Sequence, residues 1–167
     1  MRRACGGIAE VSANNAANPA KLIESLASMP DRLEAAVAAL GPREAAPGAD
    51  GWSARELSGH LCDAARMWGA RMRLAMFEDR PHLESYDQDA YVRMGAYRYI
   101  PAPELARQFR VISESTTAFL RGLRVSDWER AGVHDERGAM TLREIAAIEA
   151  EHEREHVERI ELMARQA

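Results

Sequence analysis

Residues 141–163 read TLREIAAIEAEHEREHVERIELM, and this run shows the architecture of the chain most clearly. Its apolar residues recur every three or four positions, which predicts a helix with one inward-facing stripe. Thr141 and Glu144 match a capping box, in which each of the two side chains accepts a hydrogen bond from the other residue's backbone amide. His152 and His156 lie one turn apart on the inward stripe. We therefore predict a helix that carries two histidines toward the protein interior.

Three earlier segments show the same helical spacing. Asn18-Pro19 is typical of a helix N-cap followed by proline in the first turn, and Ser53 with Glu56 repeats the capping box ahead of a helix of about 25 residues. Pro101 and Pro103 open the next helix. We expect Pro30 to interrupt or restart the first helix.

No credible strand pair is visible in the sequence. Four amphipathic helices without a sheet can bury their stripes only against one another. We therefore predict an all-α protein, a four-helix bundle with a long connection between helices 2 and 3 over residues 79–100. Residues 1–17 are expected to form a flexible N-terminal lead-in, and residues 18–167 to form the bundle domain.

Composition narrows the class of protein. Apolar residues make up 47% and charged residues 29%, and no run approaches the length of apolar sequence that spans a membrane. The 22 basic residues are interleaved with 26 acidic ones, which argues against a nucleic-acid surface. Two cysteines, Cys5 and Cys62, are too few for a disulfide framework, so we expect a cytoplasmic protein.

A third histidine, His60, lies on the inward stripe of helix 2. Buried imidazoles are costly unless their nitrogens find partners. Together with His152 and His156, it would provide three neutral imidazoles for a divalent transition metal such as Zn, Ni or Fe, with coordination positions left open. The alternatives are a hydrogen-bonded core histidine at position 60 and an HxxxH pair that binds no metal. If helices 2 and 4 run parallel, an axial offset of about a turn and a half is needed to bring the histidines together.

Two acidic residues are candidates for supporting the site. Glu149 precedes His152 by one turn and could hydrogen-bond a ligand or a metal-bound water, and Asp63 is a weaker candidate. The remaining acids of the last helix, Glu153, Glu155 and Glu158, are expected on the solvated face with arginines.

Three other potentially reactive side chains are expected outside the site. Cys62 is two residues from His60 and should point away from it, so we assign it no nucleophilic role. His82 and His134 fall in predicted loops and are expected at the surface, with the role of His134 left open.

These segments together resemble the DinB-like (DinB/YfiT) family over residues 19–165. The segments that carry the resemblance are Gly51-Trp52-Ser53 with Glu56, His60-Leu61, Arg80-Pro81, Tyr86-Asp87-Gln88-Asp89, Trp128-Glu129-Arg130 with His134 and Gly138, and Thr141-Leu142 through His152 and His156. The resemblance implies a four-helix bundle with a divalent metal held by three histidines, which here fall on His60, His152 and His156.

The family also implies an activity. It includes transferases and isomerases that use a low-molecular-weight thiol such as bacillithiol or mycothiol. We therefore expect a thiol-dependent S-transferase that acts on a small electrophile, a small-molecule substrate, in the manner of a detoxifying enzyme. The alternatives are a metal-dependent hydrolase and a non-catalytic metal-binding stress-response helical module. Relatives are often homodimers, so a homodimer is expected.

Overall fold

The helices of the computed structural model begin at the predicted caps. The structure describes residues 18–49 and 51–166, so the predicted lead-in over residues 1–17 lies outside the described residues. The long helices are α1 (Pro19–Leu40), α2 (Ala54–Phe77), α4 (Ala102–Arg121) and α5 (Leu142–Arg165), and a short helix α3 (Gln88–Gly95) lies in the connection between α2 and α4.

Side-chain capping explains where α2 and α5 start. The Ser53 hydroxyl accepts from the Glu56 amide at 3.3 Å, and the Glu56 carboxylate accepts from the Ser53 amide at 3.0 Å. Thr141 and Glu144 make the same reciprocal pair, at 3.2 and 2.7 Å. Both predicted capping boxes are confirmed, and each satisfies two amides that a helix start would otherwise leave open.

The expected break at Pro30 is wrong, because α1 continues through it to Leu40. Proline in a helix interior removes one backbone hydrogen bond and costs on the order of 3 kcal/mol. Pro30 is itself buried, and the stripe continues on both sides of it through Leu26 and Leu33. Packing of this stripe holds the helix together across the missing hydrogen bond.

In the bundle, α1 lies diagonally opposite α2, and α4 lies diagonally opposite α5. α1 packs against α4 and α5, and α2 packs against the same two helices. One apolar cluster joins Met72, late in α2, to Ile145, early in α5, and a second joins Leu57 to Ile160. α2 and α5 therefore run antiparallel, with the N-terminal half of α2 beside the C-terminal half of α5.

A small sheet closes one end of the bundle, so the prediction that no strand pair exists is wrong. β1 (His82–Leu83) pairs in parallel with β2 (Ala131–His134), which pairs antiparallel with β3 (Gly138–Thr141). Strands of two to four residues are too short to show an alternating pattern. Leu83 joins one of the apolar clusters, so the sheet extends the helical core rather than forming a separate layer.

The connection between α2 and α4 is long, as predicted, and packs back on α2. The ring of Tyr97 lies on Gly59, where an added Cβ would come within 2.1 Å of the ring. The close approach requires glycine at this position. Among the described residues, no helix combines the length and the apolar content needed to cross a membrane.

Candidate metal centre

Three imidazole rings meet between α2 and α5. Nε2 of His60 lies 3.0 Å from Nε2 of His152, and Nε2 of His156 lies 3.1 Å from the same atom. The candidate ligand atoms of the three residues all lie within 4.8 Å of one another. His60 is fully buried, whereas His152 and His156 are half-buried. The α2 side of the centre is therefore fully buried, whereas the two histidines of α5 keep some exposed surface.

Helix direction brings the three rings together. His152 and His156 are one turn apart on α5, so their rings lie on one face. Because α2 runs antiparallel to α5, His60 in the first half of α2 faces this region without the axial offset that parallel helices would need. The structure thus brings together all three histidines singled out in the sequence.

Burial keeps the three rings neutral. It lowers the pKa of His60 from 6.5 to about 3, with the charge of His156 adding to the effect, and lowers the pKa of His156 to about 4. The pKa of His152 is also well below 6.5, first because of burial and then because of its two histidine neighbours. At neutral pH each ring therefore offers a lone pair, which is the state that binds a metal.

The polar atoms of the cluster fit a bound cation. Nδ1 of His60 and Nδ1 of His152 are buried and have no hydrogen-bond partner among the described residues. Three Nε2 atoms this close can form at most a partial N–H···N network, because a neutral ring has one donor and one acceptor. A cation among three Nε2 lone pairs would satisfy them all, so the donor set suits a divalent transition metal.

Arg159 contacts the histidine cluster at His156. Its Nη1 donates to Nδ1 of His156 at 2.9 Å. In a neutral ring this places the proton of His156 on Nε2, whereas a lone pair on Nε2 requires the proton on Nδ1. Metal binding by Nε2 of His156 would therefore require the Arg159 guanidinium to turn away from the ring.

Trp52 is a neighbour of the centre that the sequence pattern did not predict. Its ring centroid lies 5.2 Å from that of His60. It directly precedes Ser53, the cap of α2, and the only sequence signal was its position in the segment that carries the family resemblance. Its indole forms one wall of the histidine cluster.

Glu149 and Glu153 form a buried acidic pair, each only 1% exposed. Burial raises the pKa of Glu149 to about 8, and burial followed by the charge of Glu149 raises that of Glu153 well above 4.5. The prediction that Glu153 lies on the solvated face is wrong. Its spacing of four from Glu149 and seven from Ile160 places it on a buried face, a signal that the sequence contained.

Asp63 is engaged by the connection between α2 and α4. Its carboxylate accepts a hydrogen bond of 2.8 Å from the Tyr97 hydroxyl, and Arg66 lies 3.5 Å away. Burial raises the pKa of Asp63. These contacts tie Asp63 to the packing of Tyr97 on α2, and it is not a member of the histidine cluster.

The cysteine and the remaining histidines lie away from the centre. The Cys62 thiol is buried, contacts the Leu105 carbonyl at 3.3 Å and has its pKa raised to about 12 by burial. It is not a member of the histidine cluster, and its lack of a nucleophilic role stays a prediction. His82 is exposed, as predicted, beside Asp135. The expected surface position of His134 is wrong, because β2 turns it inward, where it is 5% exposed and stacks on Trp68.

A pocket of about 580 Å³ lies near the centre, although none of the three histidines lines it. Its wall includes Leu57, one turn before His60 on α2, and Arg159, which contacts His156. The C-terminal ends of α1 and α5 contribute further apolar side chains. Arg159 therefore lies between the pocket and His156.

Comparison with known proteins agrees with this geometry. The sequence profile of the DinB superfamily matches residues 25–160. A protein of Oceanobacillus iheyensis, provisionally named a metal-dependent hydrolase, is 26% identical over 110 residues, which are 66% of this chain and 63% of that protein. A protein of Halalkalibacterium halodurans with the same provisional name is 23% identical over 141 residues, 83% of this chain and 82% of that protein.

A solved structure shares the fold. YfiT from Bacillus subtilis, described as a probable metal-dependent hydrolase with an unusual four-helix bundle topology, superposes with a TM-score of 0.82. The match covers 89% of this chain and 86% of YfiT at 23% sequence identity. At this identity the likeness confirms the predicted four-helix bundle and says nothing further about chemistry.

Proposed function

Because the chain belongs to the DinB superfamily, we propose that it is a metal-dependent enzyme in which His60, His152 and His156 hold one divalent ion. The observation that supports this most strongly is the convergence of three neutral Nε2 atoms from two helices. Imidazole donors favour Zn, Ni or Fe. No fourth His, Cys, Asp or Glu joins the group within the described residues. A structural site more often has four protein ligands, so the set favours an open, catalytic site.

The proposed reaction is thiol S-transfer to a small electrophile. A divalent ion held here would lower the pKa of a thiol at its open position and favour the nucleophilic thiolate. The chain does not offer such a thiol among its described residues, because Cys62 is buried and its pKa is raised to about 12. A low-molecular-weight thiol is therefore the proposed second substrate.

The protein's own part is to position ligands and exclude water. His60 is held rigidly in the core of α2, and the Trp52 ring covers it. Burial keeps all three imidazoles unprotonated well below neutral pH, so the ligand set persists under mildly acidic conditions. We place the entry of a substrate on the side of His152 and His156, which keep some exposed surface.

Metal-dependent hydrolysis is the second candidate, because both curated relatives and YfiT carry that description. The same open site would then activate water in place of a thiol. The two reactions differ in one requirement, since only S-transfer needs an added thiol. The cytoplasmic location and the homodimeric state of the protein stay predictions.

Metal content is the first test. Protein purified without an affinity tag under metal-replete conditions is expected to hold about one divalent ion per chain by elemental analysis. His152→Ala is expected to lose it, and the matched control His82→Ala, which removes an exposed histidine, is expected to retain it. Negligible metal in the wild-type protein would overturn the proposal.

The reaction is tested next with 1-chloro-2,4-dinitrobenzene as electrophile and cysteine or glutathione as thiol. Thiol-dependent turnover that His152→Ala abolishes and His82→Ala preserves is expected for the transferase. Hydrolysis of p-nitrophenyl acetate without thiol, lost in the same variant, would instead establish the hydrolase.

A further inference from the structure

We infer that the pocket beside the histidine cluster binds a small organic anion, with its apolar body against α1, α2 and α5 and its anionic group at the guanidinium of Arg159. This inference rests on the proposed function, because it names the chemical class of the substrate that the centre would act on. The inference goes beyond the proposed function because it assigns a binding role to Arg159 and Arg43.

The pocket has an apolar wall. Leu40 from α1, Leu57 from α2, and Leu162 and Met163 from α5 line it. Its volume of about 580 Å³ lies within the ordinary range for small-molecule sites, which are mostly apolar with a few placed polar groups. An alkyl or aromatic body would gain free energy by displacing water from this wall.

The charged groups in the pocket are of one sign. Among its described lining residues, Arg43 and Arg159 are the charged ones, although the whole chain has a net charge of −4. Arginine stays protonated in proteins and presents a planar fork of donors that matches a carboxylate or sulfonate. A basic pocket on an acidic protein selects anions over cations.

Arg159 links the pocket to the centre. It lies in the pocket wall, and its Nη1 reaches Nδ1 of His156 at 2.9 Å. The side chain is half-buried, so an anion bound to it is less screened by water than at an exposed arginine. A substrate held by Arg159 would have its body in the pocket and its anionic end next to the residue that contacts His156. Arg43 is exposed and would contribute less.

The test uses metal-free protein and two fluorescent probes of similar shape. The first is the anion 8-anilinonaphthalene-1-sulfonate, and the second is the uncharged N-phenyl-1-naphthylamine, which lacks the sulfonate. Arg159→Met keeps an unbranched, flexible side chain and removes the guanidinium with its charge. It is expected to weaken the anionic probe about tenfold and to change the uncharged probe less than about twofold. Arg43→Met should weaken the anionic probe by about twofold to threefold.

Two control variants locate the effect. Arg121→Met removes an equal charge from the C-terminal end of α4, at the opposite end of the bundle, and should leave both probes unchanged. Ala46→Trp places a large side chain in the pocket and should weaken both probes. Circular dichroism melting curves check that each variant is folded.

Either of two results would overturn the inference. One is an anionic probe that binds Arg159→Met within about twofold of wild type, and the other is binding of both probes unchanged in Ala46→Trp. Both measurements are made without metal, so they stand whatever the metal analysis shows. Failure of the metal test alone would refute the proposed function and leave the anion pocket in place.

Discussion

Replacing the buried Glu149–Glu153 pair is predicted to remove a pH dependence from the stability of the metal-free protein. Both carboxyls are only 1% exposed. Burial raises the pKa of Glu149 from 4.5 to about 8, and that of Glu153 is raised in the same direction. Near neutral pH the folded state therefore retains protons that the unfolded chain has released.

The sign follows from this difference in bound protons. A carboxyl with a raised pKa in the folded state imposes no penalty below its unfolded pKa, and destabilises the fold increasingly as the pH rises above that value. Each retained proton costs about 1.4 kcal/mol per pH unit in this window. Between pH 7 and 8 the loss of stability caused by Glu149 is somewhat smaller, because its pKa in the folded state lies near the upper end of this pH range. We expect about 1 kcal/mol from Glu149, and a further loss of stability of the same sign from Glu153.

The assay is urea unfolding followed by circular dichroism at pH 7.0, 7.5 and 8.0 with chelator present. The quantity compared is the unfolding free energy of each variant minus that of wild type, so that the histidine contributions cancel. Relative to wild type, Glu149→Gln should gain about 1 kcal/mol over this range, and the double variant Glu149→Gln/Glu153→Gln should gain more. Glu24→Gln, which changes an exposed residue of α1, should show no pH-dependent difference.

A double variant whose difference from wild type stays constant between pH 7 and 8 would refute the reasoning. That result would mean that both carboxylates ionise in the folded state, either because water reaches them or because a cation pairs with them.

Three more predictions concern metal, acid and packing. Adding Zn at about 100 times its dissociation constant should stabilise the wild-type protein by about 2.7 kcal/mol, seen as a higher melting temperature, and should leave His152→Ala unchanged. Without metal, the free energy of unfolding should fall as the pH drops below 6.5, because the unfolded chain binds a proton that His60, with its pKa of about 3, does not bind in the folded state. His60→Gln should make this fall less steep in urea titrations, and an unchanged pH profile would contradict the prediction. Gly59→Ala should destabilise by about 2 kcal/mol in urea unfolding, because its Cβ would lie 2.1 Å from the ring of Tyr97. Gly122→Ala, whose nearest contact would be an ordinary 3.4 Å, should be close to neutral, and equal effects of the two substitutions would count against the packing argument.

The sequence predicted the helices well because the signals for them are local. A capping box spans four residues, and the periodic stripe of α5 is legible within 23 residues, so the starts at Ser53 and Thr141 were found without knowledge of any partner. The inward phase of His60, His152 and His156 follows from the same periodicity. Glu153 was missed although the periodicity placed it inward, because acidic residues are rarely fully buried.

Interactions between distant segments could not be read in the same way. β1 and β2 are separated by nearly fifty residues and are two and four residues long, so neither carries a strand pattern of its own. The burial of His134 against Trp68 depends on that pairing. The continuity of α1 through Pro30 likewise depends on packing outside the helix.

The amino-acid sequence by itself therefore determined the long helices and the face of each that turns inward. The reason is that the capping contacts of a helix lie within a few residues and its apolar side chains repeat with the helical period. Packing alone settled which helices are neighbours and that α2 runs antiparallel to α5. It also settled that Arg159 lies between the histidines and a pocket. The physical reason is that burying four apolar stripes allows more than one arrangement of the same helices. Only the contacts between them select the one that brings three Nε2 atoms together.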